Sequence, residues 1–293
     1  MKKLFLLSFF ICSLGLNAQD SLRLQIAQIS KLSKGILCVS IENLESGDTL
    51  SFNGTYHCPM QSVFKFPIAL TILDMVDEGK LNLDDKVKLN KKILSDSNTM
   101  SSLRDHYHNP DTGVSIGELL GYMVSNSDNI ACDLLIEKAG GPPAVENHIH
   151  GLGVNGIAIA ANEHEMHVKK DLQYKSWCEP VEMTKLFKLF YKGKCLSKTS
   201  TDCLMKLLII TNTGAKRIKG LLPEGVVVAH KTGSAFTEKG LTAATNDAGI
   251  ITLPNGHHLI ITVFLTDSKA NDSTRDAVIA QVAKATYDKM KDK

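Results

Sequence analysis

Apolar residues at Leu22, Leu24, Ile26, Ile29 and Leu32 recur at helical spacing and predict an amphipathic helix over residues 21–34. The period then changes. Ile36-Leu37-Cys38-Val39-Ser40-Ile41 and Thr49-Leu50-Ser51-Phe52 read as strands, joined into a hairpin by the turn-rich Glu45-Ser46-Gly47-Asp48. From about residue 62 to 208 the pattern is helical, with runs at Val63–Val76, Ile116–Met123, Ile130–Lys138 and Val181–Tyr191. Gly-Gly-Pro-Pro at 140–143 punctuates this stretch, and residues 153–180 predict a long irregular segment. Strands return at Val226–Lys231, Ala248–Leu253 and His258–Thr266, the last two joined through Pro254-Asn255-Gly256. Asp272–Met290 closes the chain as a helix. This order has no βαβ rhythm. It predicts an α+β fold: an antiparallel sheet of about five strands from both chain ends, flanked by helices, with an all-α lobe inserted. The expected boundaries are 19–58 and 209–293 for a discontinuous α/β lobe and 59–208 for the all-α lobe.

The first eighteen residues belong to a different category. Lys2-Lys3, an apolar run from Leu4 to about Leu16, and Leu16-Asn17-Ala18 have the form of a signal peptide with a small-residue cleavage site. The run is too short to span a bilayer, and no later stretch is long enough. Export to the periplasm is therefore expected. Ile11 before Cys12 is a poor lipid-attachment context, so no stable membrane anchor is expected either.

Removing that segment lowers Lys+Arg from 33 to 31, equal to the 31 Asp+Glu. A formally neutral chain without a basic stripe lacks the electrostatic footprint of a nucleic-acid partner. Six cysteines remain, Cys38, Cys58, Cys132, Cys178, Cys195 and Cys203. Export permits disulfides, but the sequence does not choose among the fifteen full pairings.

Three short motifs bear on chemistry. Ser62-Val63-Phe64-Lys65 is the only S-x-x-K in the chain and sits where a strongly apolar helix begins. Residues three apart share a helix face, so Lys65 lies within reach of the Ser62 hydroxyl. A serine is a weak nucleophile until a base activates it, and a lysine serves when its pKa is lowered. In isolation the same four residues read as a helix cap and a solvated lysine. Ser127-Asp128-Asn129 precedes the helix at Ile130 and by itself reads as an N-cap cluster. Lys231-Thr232-Gly233, followed by Ser234, ends a strand; Lys and Thr can hold a carboxylate, and Gly permits close backbone approach.

Taken together, at separations of 65 and 104 residues, these motifs resemble the set of the class A serine β-lactamases and related penicillin-binding proteins. The resemblance covers nearly the whole chain after the leader and implies the serine β-lactamase/penicillin-binding-protein fold. It implies hydrolysis of β-lactam antibiotics through an acyl-enzyme on Ser62, by a monomer with small-molecule substrates and no cofactor. Lys65 and Glu163 are both open as the base that activates Ser62. Ser127 would pass a proton to the departing nitrogen, Asn129 would hold the acylamino side chain, and Lys231, Thr232 and Ser234 would bind the substrate carboxylate. Glu163 would activate the water that frees the acyl-enzyme. It opens Glu163-His164-Glu165-Met166-His167, which stands where the family has E-x-x-L-N, with Glu165 as the competitor. His167 in place of the asparagine, and Gln61 before the serine, resemble the extended-spectrum branch. The family arginine after K-T-G is replaced by Thr245, and Arg217 is expected to supply that charge. A D,D-peptidase using the same serine is the alternative enzyme. A non-catalytic penicillin sensor is the alternative of another class, and it would need a spanning signalling segment.

Metal chemistry is not expected. His106-Tyr107-His108 lacks the partners of the zinc motif it approximates, and His164-Glu165-Met166-His167 is one residue short of H-E-x-x-H. His148 and His150 read as surface residues.

Overall fold

The structure, a computed structural model, describes residues 18–91, 94, 100–109 and 111–291. The expected leader lies outside the described residues, except for Ala18, at which the first helix begins. The first half contains α1 (Ala18–Ser30), β1 (Ile36–Asn43), β2 (Thr49–Phe52), β3 (Cys58–Pro59), α2 (Lys65–Asp77), β4 (Lys86–Lys88), α3 (Ser102–His106), β5 (Gly113–Ser115), α4 (Ile116–Ser125) and α5 (Asn129–Lys138). Then come α6 (Pro142–Gly151), β6 (Ile157–Ala158), α7 (Glu163–Val168), β7 (Trp177–Cys178), α8 (Pro180–Tyr191) and α9 (Lys198–Ile209). The chain ends with β8 (Val228–Ser234), β9 (Thr237–Glu238), β10 (Leu241–Thr252), β11 (His258–Ser268) and α10 (Asp272–Met290).

The main sheet runs β2-β1-β11-β10-β8, all antiparallel, with the short β9 paired to β10. Both faces are covered, which is why its central strands read as continuous apolar runs. Leu37, Val39 and Ile41 of β1 and Ile261, Val263 and Leu265 of β11 pack with α1 and α10. The alternate residues Cys38, Ile260 and Phe264 join the core of the helical insert. At the centre of that insert is α2, whose residues Lys65–Leu73 are all buried, as expected for a helix apolar on every side. Pro67 is the third residue of α2, where an amide has no intrahelical acceptor, so its missing N–H costs nothing.

The strand-rich ends and helical middle agree with the pattern, and the differences have local causes. α1 ends at Ser30, and of its expected apolar face Leu22, Ile26 and Ile29 are buried while Leu24 faces solvent. The run at Val63 begins as a 3-10 turn, Gln61–Phe64, before becoming α2. β8 does not stop at Lys231: Thr232, Gly233 and Ser234 continue to pair with Asp247, Asn246 and Thr245. Residues 153–180 are not irregular throughout. They hold β6, α7, a 3-10 turn at Lys170–Tyr174, and β7, which lies between β3 and β6 in a small sheet. Such two-residue strands exist through distant partners, which no local periodicity records. His148 and His150 are half-buried: His148 faces Asp74 at 3.5 Å, and His150 Nε2 lies 2.9 Å from the Ile157 carbonyl. All six described cysteines are free.

Candidate active site

Ser62 sits in the 3-10 turn that feeds α2, one residue after Gln61, whose φ is +48°. Ser127 has a φ of +59°. Non-glycine residues in this region cost roughly 1–2 kcal/mol each, and here the strain is held by neighbours. Asn246, fully buried in β10, donates to the carbonyls of Pro59 (2.7 Å) and Met60 (3.1 Å), and so ties the chain before Ser62 to the sheet. Gly233 brings β8 against the same chain. A Cβ there would lie 2.4 Å from the Met60 oxygen and 3.1 Å from the Ser62 amide nitrogen. Only glycine allows that approach.

Lys65 is completely buried one turn after Ser62. Its ammonium donates to Ser62 Oγ (2.9 Å), the Ser127 carbonyl (2.8 Å) and Asn129 Oδ1 (2.5 Å). It also lies 2.8 Å from Glu163 Oε1. The Ser62 hydroxyl in turn donates to Glu163 Oε1 at 3.2 Å. The serine thus accepts from a cation and donates to a carboxylate, a geometry suited to removing its proton.

Lys231 is the second buried lysine, and it donates to Ser127 Oγ at 2.8 Å. Burial, with the Lys65 charge adding to it, pushes the Lys231 ammonium well below the usual lysine range. Ser127 therefore contacts Lys65 through its carbonyl and Lys231 through its hydroxyl. Its neighbour Asp128 is the N-cap of α5, accepting from Ala131 N at 2.8 Å. Asp128 also accepts from Ser101 Oγ and Leu103 N, both at 2.8 Å.

Glu163 is the first residue of α7, and Asn162 caps that helix. Glu165 completes the capping box by accepting from Asn162 N at 3.0 Å and is exposed. His167 is exposed and does not enter the site, whereas Met166 is buried. What seats Glu163 is Asp133, whose two oxygens accept the amides of Glu163 (2.8 Å) and His164 (2.9 Å). Burial, then the Glu163 charge, pushes the Asp133 carboxyl up to about 7. The far end of the segment is fastened by Gln61 Nε2 to Gln173 Oε1 (2.7 Å), by Tyr174 to Asp267 (2.6 Å), and by an ion pair between Lys170 and Glu238.

On the β8 side, Arg217 Nη2 donates to Ser234 Oγ at 2.7 Å. Its Nη1 reaches the carbonyls of Gly233 (3.1 Å) and Asn246 (2.9 Å), and its Nε reaches Asp276 Oδ1 (2.8 Å). Thr232 Oγ1 lies 2.6 Å from Thr213 Oγ1. Thr245 is turned elsewhere and accepts from Arg275 at 2.8 Å. One hydrogen-bonded set therefore contains Ser62, Lys65, Ser127, Asn129, Glu163 and Lys231, and Arg217 joins Ser234 beside it. The cap that the Ser127-Asp128-Asn129 pattern predicts is Asp128, whereas Asp133, Asn246 and Asp276 carry no motif in the sequence. Asp133 had a usable signal, since it follows Asn129 by four residues on one helix face. β10 begins at Leu241, ahead of the strand expected from Ala248, because β8 and β11 pair with it there, so Asn246 fell outside the expected strand and nothing local marks its partners. Among the described residues, no group of three or more His, Cys, Asp and Glu is arranged to hold a metal.

Residues 21–290 match the family described as "Beta-lactamase enzyme family". The chain is 40% identical over 287 residues to Beta-lactamase VEB-1 of Pseudomonas aeruginosa, covering 97% of this chain and 95% of that one. It is 42% identical over 267 residues to the Extended-spectrum beta-lactamase PER-1 of the same organism, covering 91% and 86%. The crystal structure of a β-lactamase from Chitinophaga pinensis superposes with a TM-score of 0.89 at 47% identity, covering 92% of this chain and 98% of the other.

Proposed function

Because the chain belongs to the β-lactamase enzyme family and is a class A serine enzyme that hydrolyses β-lactam antibiotics, we propose a division of labour among its residues. Ser62 Oγ attacks the lactam carbonyl, the ring C–N bond breaks, and an acyl ester forms on Ser62. The observation that carries this is the contact of the Ser62 hydroxyl with both Lys65 (2.9 Å) and Glu163 (3.2 Å). The direction of that hydrogen bond supports Glu163 as the first acceptor of the serine proton, with the buried Lys65 ammonium stabilising the resulting charge. The amides of Ser62 and Ser234 form the oxyanion hole, and the approach of Gly233 to the Ser62 amide supports this pairing. One such donor is worth about 10²–10³ in rate.

Ser127 delivers a proton to the departing nitrogen, and Lys231, hydrogen-bonded to its hydroxyl, poises it. Lys231, Thr232, Ser234 and Arg217 receive the substrate carboxylate. Asn129 holds the acylamino side chain and orients Lys65. Glu163 then activates the water that hydrolyses the ester. A carboxylate held beside the nucleophile favours hydrolysis over the D,D-peptidase reading, which has no use for it.

The site lies in the cleft between an α/β lobe of residues 19–58 and 209–293 and an all-α lobe of 59–208. The protein is an exported monomer that acts in the periplasm after loss of residues 1–18, without a lipid anchor. Among the described residues no helix is long and apolar enough to cross a membrane. The relative named as extended-spectrum supports turnover of cephalosporins as well as penicillins. The direct test is absorbance with a chromogenic cephalosporin. Folded enzyme clears it with repeated turnover, and a flat trace overturns the assignment.

A further inference from the structure

Immediately before Lys231, β8 carries a buried ionisable pair that the reaction itself does not use. His230 and Asp247 are both fully inaccessible, and His230 Nδ1 lies 2.8 Å from Asp247 Oδ1. His230 Nε2 is buried without a hydrogen-bond partner among the described residues. In the β8–β10 register His230 lies opposite Gly249, and Asp247 lies opposite Thr232. A Cβ at Gly249 would come within 2.7 Å of His230 Cα and Cβ and 2.2 Å of the Ala229 oxygen, so the bare backbone of β10 is what lets His230 sit there.

The second oxygen of Asp247 shows where the pair acts. Asp247 Oδ2 accepts the Ile218 amide at 3.1 Å. Ile218 directly follows Arg217 and begins the 3-10 turn Ile218–Leu221. The guanidinium of Arg217 is then aimed by the carbonyls of Gly233 and Asn246 and by Asp276, ending on Ser234. A continuous path runs from His230 through Asp247 and the Ile218 amide to Arg217.

A buried hydrogen-bonded polar pair adds little net stability over apolar residues of the same volume, but it fixes a hydrogen-bond acceptor at one point and in one direction. We propose that His230 and Asp247 are positioning residues for the substrate-carboxylate subsite: the imidazole orients the Asp247 carboxylate, and the carboxylate fixes the turn that carries Arg217. This rests on the reading of Arg217 as a carboxylate-binding residue.

The test compares one cephalosporin as the free acid and as its methyl ester, with wild type and the variants H230L, H230N, H230Q and D247A. Wild type prefers the acid by more than tenfold in kcat/KM. H230L and D247A lower that preference at least fivefold, through the KM of the acid, while turnover of the ester changes less than twofold. Asparagine places its amide nitrogen near the Nδ1 position, so H230N keeps the preference within twofold. Glutamine places it near Nε2, so H230Q loses the preference. A merely structural role would slow acid and ester alike. Equal losses on both substrates, an unchanged preference in folded H230L and D247A, or H230N as impaired as H230L would each overturn the proposal. If H230L does not fold, the contrast between H230N and H230Q decides. Absence of an acid preference in wild type would instead fault the carboxylate role of Arg217, leaving hydrolysis at Ser62 untouched.

Discussion

Lys65 and Glu163 form an ion pair of 2.8 Å in which the lysine is wholly buried and the glutamate nearly so. The two come from different elements, the start of α2 and the start of α7, 98 positions apart. The Ser62 hydroxyl contacts both partners of this pair, at 2.9 Å and 3.2 Å, and the pair defines what each neighbouring substitution should do.

Replacing Ser62 by alanine removes the hydroxyl oxygen that touches both groups. Hydrolysis should fall by at least 10⁴-fold, and intact-mass spectrometry after incubation with a penicillin should show no adduct. Any substantial turnover by S62A would assign the nucleophile elsewhere.

Glu163 and Glu165 should separate cleanly. E163Q loses both the acceptor of the Ser62 proton and the group that activates water, so acylation should slow with Lys65 still beside the serine, deacylation should slow further, and a stable adduct on Ser62 is expected to accumulate. E165Q keeps an oxygen for the Asn162 amide and should turn over normally; E165A should lose about 1 kcal/mol of stability with the capping box. Accumulation of adduct in E165Q instead of E163Q would shift the hydrolytic role to Glu165.

Asp133 makes stability depend on pH in a particular direction. Its carboxyl, held up to about 7 by burial and by Glu163, binds a proton more tightly in the folded state than in the unfolded chain. The native state therefore carries the extra proton between about pH 4 and the folded value, and this contribution to stability is lost as pH rises through that window. D133N should flatten that slope. Urea melts at intervals across this range provide the check, and equal slopes in both proteins would contradict it.

Gly233→Ala should damage catalysis without touching a catalytic group. The added methyl would sit 2.4 Å from a backbone oxygen, that of Met60, which must move and take Ser62 with it. A stability loss of about 1–3 kcal/mol is expected from overpacking, and kcat should fall by an order of magnitude or more, read by steady-state kinetics beside a thermal melt.

Arg217→Ala should raise KM for acidic β-lactams about tenfold or more, as expected for loss of a charge-assisted hydrogen bond worth roughly 1.5–3 kcal/mol, while kcat changes little. The steady-state split between KM and kcat tests this, and an unchanged KM would remove Arg217 from the substrate contacts.

Much of this protein was legible in its residues because the relevant signals are local. Short apolar runs marked β1, β11 and the second half of β10, helical runs marked α4, α5, α8 and α10, and S-x-x-K, S-D-N and K-T-G carried Ser62, Lys65, Ser127, Asn129 and Lys231 by resemblance. Tertiary structure decided what depends on meetings between distant segments. It continued β8 through Ser234 because β10 was there to pair with it, and it gave the 153–180 stretch its short elements. It also set Asp133 under Glu163, Asn246 behind Met60, and Asp247 beneath the Arg217 turn. Hydrogen bonds between residues far apart in the chain leave no periodicity to read, because their partners are chosen by packing; a sequence specifies that packing only as a whole.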